Sequence, residues 1–358
     1  MNQISNYSAW DIEPISPILL SPEKFYEHLV GWAIIAANSH NVQPWRFRVY
    51  PKNNAIALLV DKKGVLPASD KKGREAFISL GCALENLLTA AKCYGLEADV
   101  KYNESDNFNL SEEVVRVVFK NFPPIGTMLI NPDLLTAMKT RAMNRSKYSP
   151  TKTVPKNVLD EMRASAENLN LSFRTITDPT TKFAIAEIQY FADRAVVMRT
   201  DFRRELADYL LPNDTESTRG MPGSNFGLSD KIALKAHTEL GKEGSFDPDL
   251  AYGFSVSGRD GLKSAPIILV LSVKEDSRIY WIKSGRALQG IALKAELNGL
   301  SMAVHAAMVE VEMFNKLLKA RLLSGDRPTV ICRLGYATEI RPHAPRTTVN
   351  EVMEVIND

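Results

Sequence analysis

Ser21 stands before Pro22, an N-cap beside a residue suited to the first helical position, and apolar side chains then run from Leu29 to Ala37. This predicts a helix that ends near Asn38, after an N-terminal arm of little periodicity. Residues 46–50 and 55–60 cluster as two strands, with 51–54 as the turn between them. Residues 64–73 are polar and turn-rich. Phe77, Leu80, Leu84, Leu87, Leu88 and Ala91 then fall near helical spacing, and Gly95 ends that helix. Residues 100–102 and 114–119 read as strands and 121–124 as a break. Helices follow at 134–141, 156–168 and 180–211. Residues 212–261 break the pattern with Gly, Pro, Asn, Asp and Ser around one charged helical piece near 231–240, and 253–261 reads as loop. A connection this long marks a lid or binding loop, or disorder. Residues 265–273 read as a buried strand, 282–298 and 310–324 as helices, and 329–334 as the last clear strand.

The chain echoes itself. Ile78-Ser79-Leu80-Gly81-Cys82-Ala83-Leu84 matches Ile282-Lys283-Ser284-Gly285-Arg286-Ala287-Leu288. Ala91, Gly95-Leu96 and Val100 recur at the same offset as Ala295, Gly299-Leu300 and Val304. Each copy is a helix with a small-residue face that a neighbour can approach closely. The alternative is a chance match between two apolar helices.

With 358 residues, 45% of them hydrophobic, the chain can bury a large core as one domain or two modest ones. A formal charge of +2 with mixed signs leaves no basic stripe, which argues against a nucleic-acid partner. Cys82, Cys93 and Cys332 lack metal-ligand spacing and read as reduced core thiols, so a cytoplasmic location is expected. Asp11, Glu13, Glu23 and Glu27 are unlike a signal peptide, and no stretch has the length expected of a membrane span. His28, His40, His237, His305 and His343 are scattered, so no metal site is expected, and no Ser-His-Asp set or glycine-rich phosphate loop stands out.

The densest chemistry lies in Asn38-Ser39-His40-Asn41-Val42-Gln43-Pro44-Trp45-Arg46, where Pro44 pushes Gln43 out of the helical region. Asn and Gln amides, a Ser hydroxyl and a Trp face suit a polar, planar ligand. The alternative is structural: Asx-turn asparagines, a satisfied loop histidine and a core tryptophan.

Ser39, Asn41 and Gln43-Pro44-Trp45 resemble the Ser-x-x-Asn-x-Gln-Pro-Trp segment of the nitroreductase family of FMN flavoproteins. Most of the chain resembles the family's long, lid-bearing Acg branch. Arg141-Ala142-Met143-Asn144-Arg145, with Tyr148 beyond, resembles the family's Arg-Arg-Ser/Thr-x-Arg motif, with Ala142 and Met143 departing from it. Arg333-Leu334-Gly335-Tyr336 and Pro345-Arg346-Thr347 resemble its closing strand and basic tail.

The resemblance implies an α+β fold, with a central, mostly antiparallel sheet flanked by helices. It also implies an internally duplicated pseudo-dimer: residues 1–125 as one half, and 126–358 as the other with a lid at about 212–261. It implies FMN held by Ser39, His40, Asn41, Gln43, Trp45, Arg141, Asn144, Arg145 and Arg346, with 304–308 near flavin N5 and no catalytic side chain, since N5 carries the chemistry. Arg141 and Arg145, four apart, would share a helical face toward a phosphate. The implied activity moves electrons from NADH or NADPH to a small-molecule acceptor such as a nitroaromatic or quinone. Alternatives are an FMN store without turnover and a fold that has lost its cofactor.

Overall fold

The computed structural model describes residues 5–16, 20–105, 107–120, 129–242 and 247–357. The expected break at 121–124, the first residues of the N-terminal arm and part of 212–261 lie outside the described residues.

Helix α1 (Pro22–Ile34) starts where Ser21 Oγ accepts the Lys24 N–H, and its carboxyl end delivers the chain to the loop at 38–44. Strands β1 (Trp45–Tyr50) and β2 (Ala55–Val60) form the expected hairpin, turned at left-handed Asn54. Helix α2 (Arg74–Cys93) follows, then β3 (Glu97–Tyr102) and β4 (Glu113–Lys120). Next come α3 (Pro132–Thr140), α4 (Lys156–Glu167), β5 (Ser172–Ile176) and α5 (Pro179–Val197). Helix α6 (Thr200–Tyr209) leads into β6 (Leu210–Leu211), which pairs in parallel with β7 (Met221–Pro222). Helices α7 (Asp230–Leu240) and α8 (Pro248–Ser264) precede β8 (Ile267–Val273), α9 (Arg278–Leu297) and β9 (Ser301–Val304). The chain closes with α10 (Ala307–Glu310), α11 (Glu312–Arg321), β10 (Arg327–Gly335), α12 (Val349–Val352) and β11 (Met353–Val355).

The fold is α+β and mostly antiparallel, but its main strands form two sheets in place of one central one. One has the order β11-β1-β2-β4-β3 and the other β5-β8-β10-β9. Among the described strands of these two sheets only β11 joins in parallel, against β1, so the end of the chain completes the sheet built from its beginning. Both faces of the second sheet are covered. Leu269, Leu271, Cys332 and Leu334 enter the core shared with α1, α2 and α9, while Ile268, Val270 and Ile331 enter a second core under α5, α6 and α11. That explains the apolar run before Lys274, interrupted by Ser272 alone within the strand. The three cysteines are buried free thiols.

Helix α2 is long and apolar enough to cross a membrane, yet in the fold it lies buried along α9. The crossing is reciprocal: a Cβ on Gly81 would run into the Ile282 carbonyl oxygen, and one on Gly285 into that of Ile78. The residues aligned by the repeat therefore pack against each other, as across a two-fold axis.

Several expected elements differ. Residues 253–261 lie in α8, because Pro248 and the Asp247 cap start a helix in which Gly258 and Gly261 face close neighbours. The helix expected over 180–211 breaks after Val197, and that expected over 310–324 divides at Val311. Strands β5 and β11 are short and only partly buried, so neither leaves a clear alternation.

Candidate functional site

The loop after α1 has an unusual backbone. His40 (φ 45°), Asn41 (φ 53°) and Gln43 (φ 51°) are all left-handed, a region that a non-glycine residue occupies at a cost. Pro44 keeps Gln43 out of the right-handed helical region, as expected, and side chains hold the rest. Asn38 Oδ1 accepts the Gln43 N–H at 2.9 Å, and Ser79 Oγ on α2 accepts the Ser39 N–H at 3.2 Å. Asn41 Nδ2 donates to the carbonyls of Gly220 and Pro345, both at 2.8 Å. Gln43 Nε2 donates to the Thr218 carbonyl at 2.6 Å, and its Oε1 accepts both the N–H and the hydroxyl of Thr347 at 2.9 Å. Both amides are thus engaged by the tail and by 218–220, the segment leading into β7. Trp45 is fully buried in the main core, with its indole Nε1 lacking a partner.

Two arginines converge on the carboxyl end of α1. Arg346 donates to the carbonyls of Ile34 (3.1 Å) and Ala36 (3.1 Å) and to Asn41 Oδ1 (2.5 Å), and Arg141 donates to the Ile35 carbonyl (2.9 Å). The exposed carbonyls and dipole of a helix end favour cations. Burial and the neighbouring charge of Arg141 push Arg346 down to about 9, and burial lowers Arg141 as well. Arg141 Nε is buried without a partner.

Arg145 is placed elsewhere, which corrects the expectation of a shared helical face. Helix α3 stops at Thr140, Arg141 turns extended (ψ 123°), and Asn144 donates its N–H to the Met302 carbonyl at 2.8 Å, so the segment lies alongside β9. Asn144 has a structural place here: its Nδ2 donates to the Glu339 carbonyl and its Oδ1 accepts the Ser146 N–H. Arg145 instead lies over the Phe226 ring, 4.9 Å from its centroid, and beside His40. Burial and the charge of Arg333 push Arg145 down to about 10, while burial and the charge of Arg145 hold His40 near 4, so its imidazole is neutral. His40 Nδ1 is buried and unpartnered.

Sequence reasoning missed two residues of this group. Arg333 lies over the Tyr148 ring at 4.8 Å, and His305 is held well below its ordinary pKa by burial and by Arg333 and Arg145. The signal was an arginine inside the apolar strand at 329–334, where a charge needs a reason.

No protein-family model matches the chain. Among curated proteins, "Putative NAD(P)H nitroreductase acg" of Mycobacterium tuberculosis is 23% identical over 91% of this chain and 94% of its own length. "Putative NAD(P)H nitroreductase Rv3131" of the same organism is 25% identical over 90% of this chain and 89% of its own. Over most of its length the chain is similar to these two proteins. Among solved structures, the FMN and NADPH-dependent nitroreductase NfnB from Sphigopyxis sp. strain HMH is 19% identical, over 62% of this chain and 97% of its own. Its TM-score of 0.41 is too low to place any residue.

Proposed function

We propose that the chain is an FMN-dependent oxidoreductase that passes electrons from NADH or NADPH to a small-molecule acceptor such as a nitroaromatic or quinone. One observation carries this reading: three segments far apart in sequence meet at the end of α1. The loop at 38–45 bonds to the tail through Asn41–Pro345 and Gln43–Thr347, Arg346 and Arg141 share the α1 carbonyls, and His40 sits beside Arg145. The names of the mycobacterial relatives support the same reading.

The residues present fit an anionic, planar group, since nitrogens of His40 and Arg141 are buried without a partner and the Arg145 guanidinium has only a ring face against it among the described residues. In this reading Ser39, His40, Asn41, Gln43 and Trp45 shape the flavin side, and Arg141, Asn144, Arg145 and Arg346 lie toward the phosphate. When bound, FMN supplies the hydride acceptor and donor at N5. The chain's own contribution is to fix the loop backbone, to hold guanidiniums toward negative charge and to limit access through 218–220. Residues 1–125 and 126–358 then act as two halves of a pseudo-dimer with one complete site, and 212–261 as its lid. Buried reduced thiols support a cytoplasmic place.

A second reading, an FMN store without turnover, is favoured by the engagement of both loop amides with 218–220. The absorption spectrum of the purified chain, before and after FMN addition and desalting, is the test. We expect about one FMN per chain and NAD(P)H oxidation that depends on an added nitroaromatic. Retained flavin without turnover supports the store, and no retained flavin sinks both.

A further inference from the structure

We propose that Arg145 and Arg333, with His305 and His40, form an oxyanion-binding site for the phosphate or carboxylate of a small molecule. The site rests on the cofactor reading, with which it shares His40, Arg145 and the 304–308 segment, and goes beyond it by adding the side chains of Arg333 and His305.

Its geometry begins with strand register. Arg333 on β10 lies opposite Ala303 on β9, and the His305 N–H continues the ladder to the Ile331 carbonyl at 2.9 Å. Side chains two apart share a face, so His305 and Arg333 are diagonal neighbours on the side of the sheet that Ile331 also faces. Arg333 is 3% exposed and His305 8% exposed. Helix α8 passes so near that a Cβ on Gly261 would collide with the Arg333 guanidinium. The loop beyond α3 runs alongside β9, where the Asn144 N–H bonds the Met302 carbonyl at 2.8 Å, and so carries Arg145 near enough for its charge to act on His305 and on His40 of the loop after α1.

Among the described residues, no carboxylate pairs with these groups. Arg333 Nε, His305 Nε2 and His40 Nδ1 are buried with no hydrogen-bond partner. Arg333 has the Tyr148 hydroxyl as a hydrogen-bond partner; the charges that act on the other three come from within the group: Arg333 on Arg145, both arginines on His305, and Arg145 on His40. Tyr148 and Phe226 present ring faces to the guanidiniums, which solvate a cation without neutralising it. By contrast, Arg286 pairs with Glu85 at 2.9 Å, Arg74 lies 3.4 Å from Asp276, and Arg346 is surrounded by carbonyls. A buried Arg333 with a half-buried Arg145 near it and no acid is costly, and a ligand oxyanion offsets that cost while matching their planar donor forks.

The oxyanion has two sources: the phosphate of the flavin nucleotide, or the acid group of a separate acceptor. Calorimetric titration of the full chain with FMN, riboflavin and inorganic phosphate, and of the FMN-loaded chain with 4-nitrobenzoate and nitrobenzene, separates them. If the nucleotide phosphate is the occupant, Arg333→Gln weakens FMN about tenfold or more, spares riboflavin, and phosphate competes with FMN. If a separate acid is the occupant, Arg333→Gln spares FMN and weakens 4-nitrobenzoate about tenfold, with nitrobenzene unchanged. Affinities equal to wild type for every probe overturn the proposal. Should thermal melting show Arg333→Gln to be unfolded, His305→Gln carries the same expectations and the same overturning result. Arg333-dependent phosphate binding in a chain that takes no flavin would uphold this site while sinking the cofactor reading.

Discussion

Asp193 on α5 is a carboxyl with little water around it. Gln189 Nε2 donates to it at 2.7 Å, and Gly258 of α8 leaves just enough room beside its Oδ2. Burial pushes its pKa to about 8, with the Gln189 bond acting in the opposite direction. Between its ordinary unfolded value and that pKa, the folded chain binds the extra proton. Asp193 therefore costs progressively more stability as pH rises from about 4 to 8, with no further loss above. We expect Asp193→Asn to raise the urea midpoint at pH 8 and to change it little at pH 4, as equilibrium unfolding at the two values will show. At this scale the sequence was partly legible. Gln43 and Asn41 stood out as amides, but that their partners would be Thr347, Thr218, Gly220 and Pro345 could not be read, since those residues lie far along the chain. Arg333 was visible as a charge in an apolar strand, yet its company was not.

Two elements carry the next predictions. Where α2 crosses α9, Gly81 and Gly285 each face a backbone carbonyl that cannot step aside. Gly81→Ala forces the helices apart and is expected to destabilise by about 1–3 kcal/mol or more, with Gly285→Ala similar by the reciprocity of the contact. Chemical denaturation of the two variants and of the double mutant tests this, and the double mutant should cost less than the sum because both disturb one crossing. The segment before β7 is latched differently. Arg219 donates to Asp61 Oδ2 at 2.7 Å, with Arg46 3.7 Å from the same oxygen. Burial pushes the Asp61 carboxyl up, but Arg219, the Lys63 N–H and Arg46 outweigh it and leave the pKa lowered. The latch is therefore complete above the ordinary carboxylate range and is lost as pH falls through the lowered value. Limited proteolysis should cut between residues 212 and 222 faster in Asp61→Asn than in wild type at pH 7, and at equal rates in strong acid. The hairpin, α2 and α9 were legible because their periodicity is local; α8 was not, because its glycines read as loop until Asp193 and Arg333 are seen against them.

The whole molecule is tied together by its last residues. Strand β11 pairs Met353, Glu354 and Val355 with Phe47, Arg48 and Val49, and the tail before it holds the loop at 38–45. Removing residues 349–358 leaves β1 as a bare edge beside that loop. We expect the truncated chain to melt at a lower temperature, to aggregate on concentration and to lose affinity for FMN, which differential scanning calorimetry and flavin titration will measure. By itself the sequence determined the helices and hairpin that have local period, the small-residue faces around Gly81 and Gly285, and the polar loop, because each is written in neighbouring residues. Tertiary structure decided that the strands divide into two sheets, that Arg141 and Arg145 part company, that 218–220 covers the loop, and that Arg145 meets Arg333. Those outcomes depend on burial and charge brought together from distant parts of the chain, which no local pattern encodes.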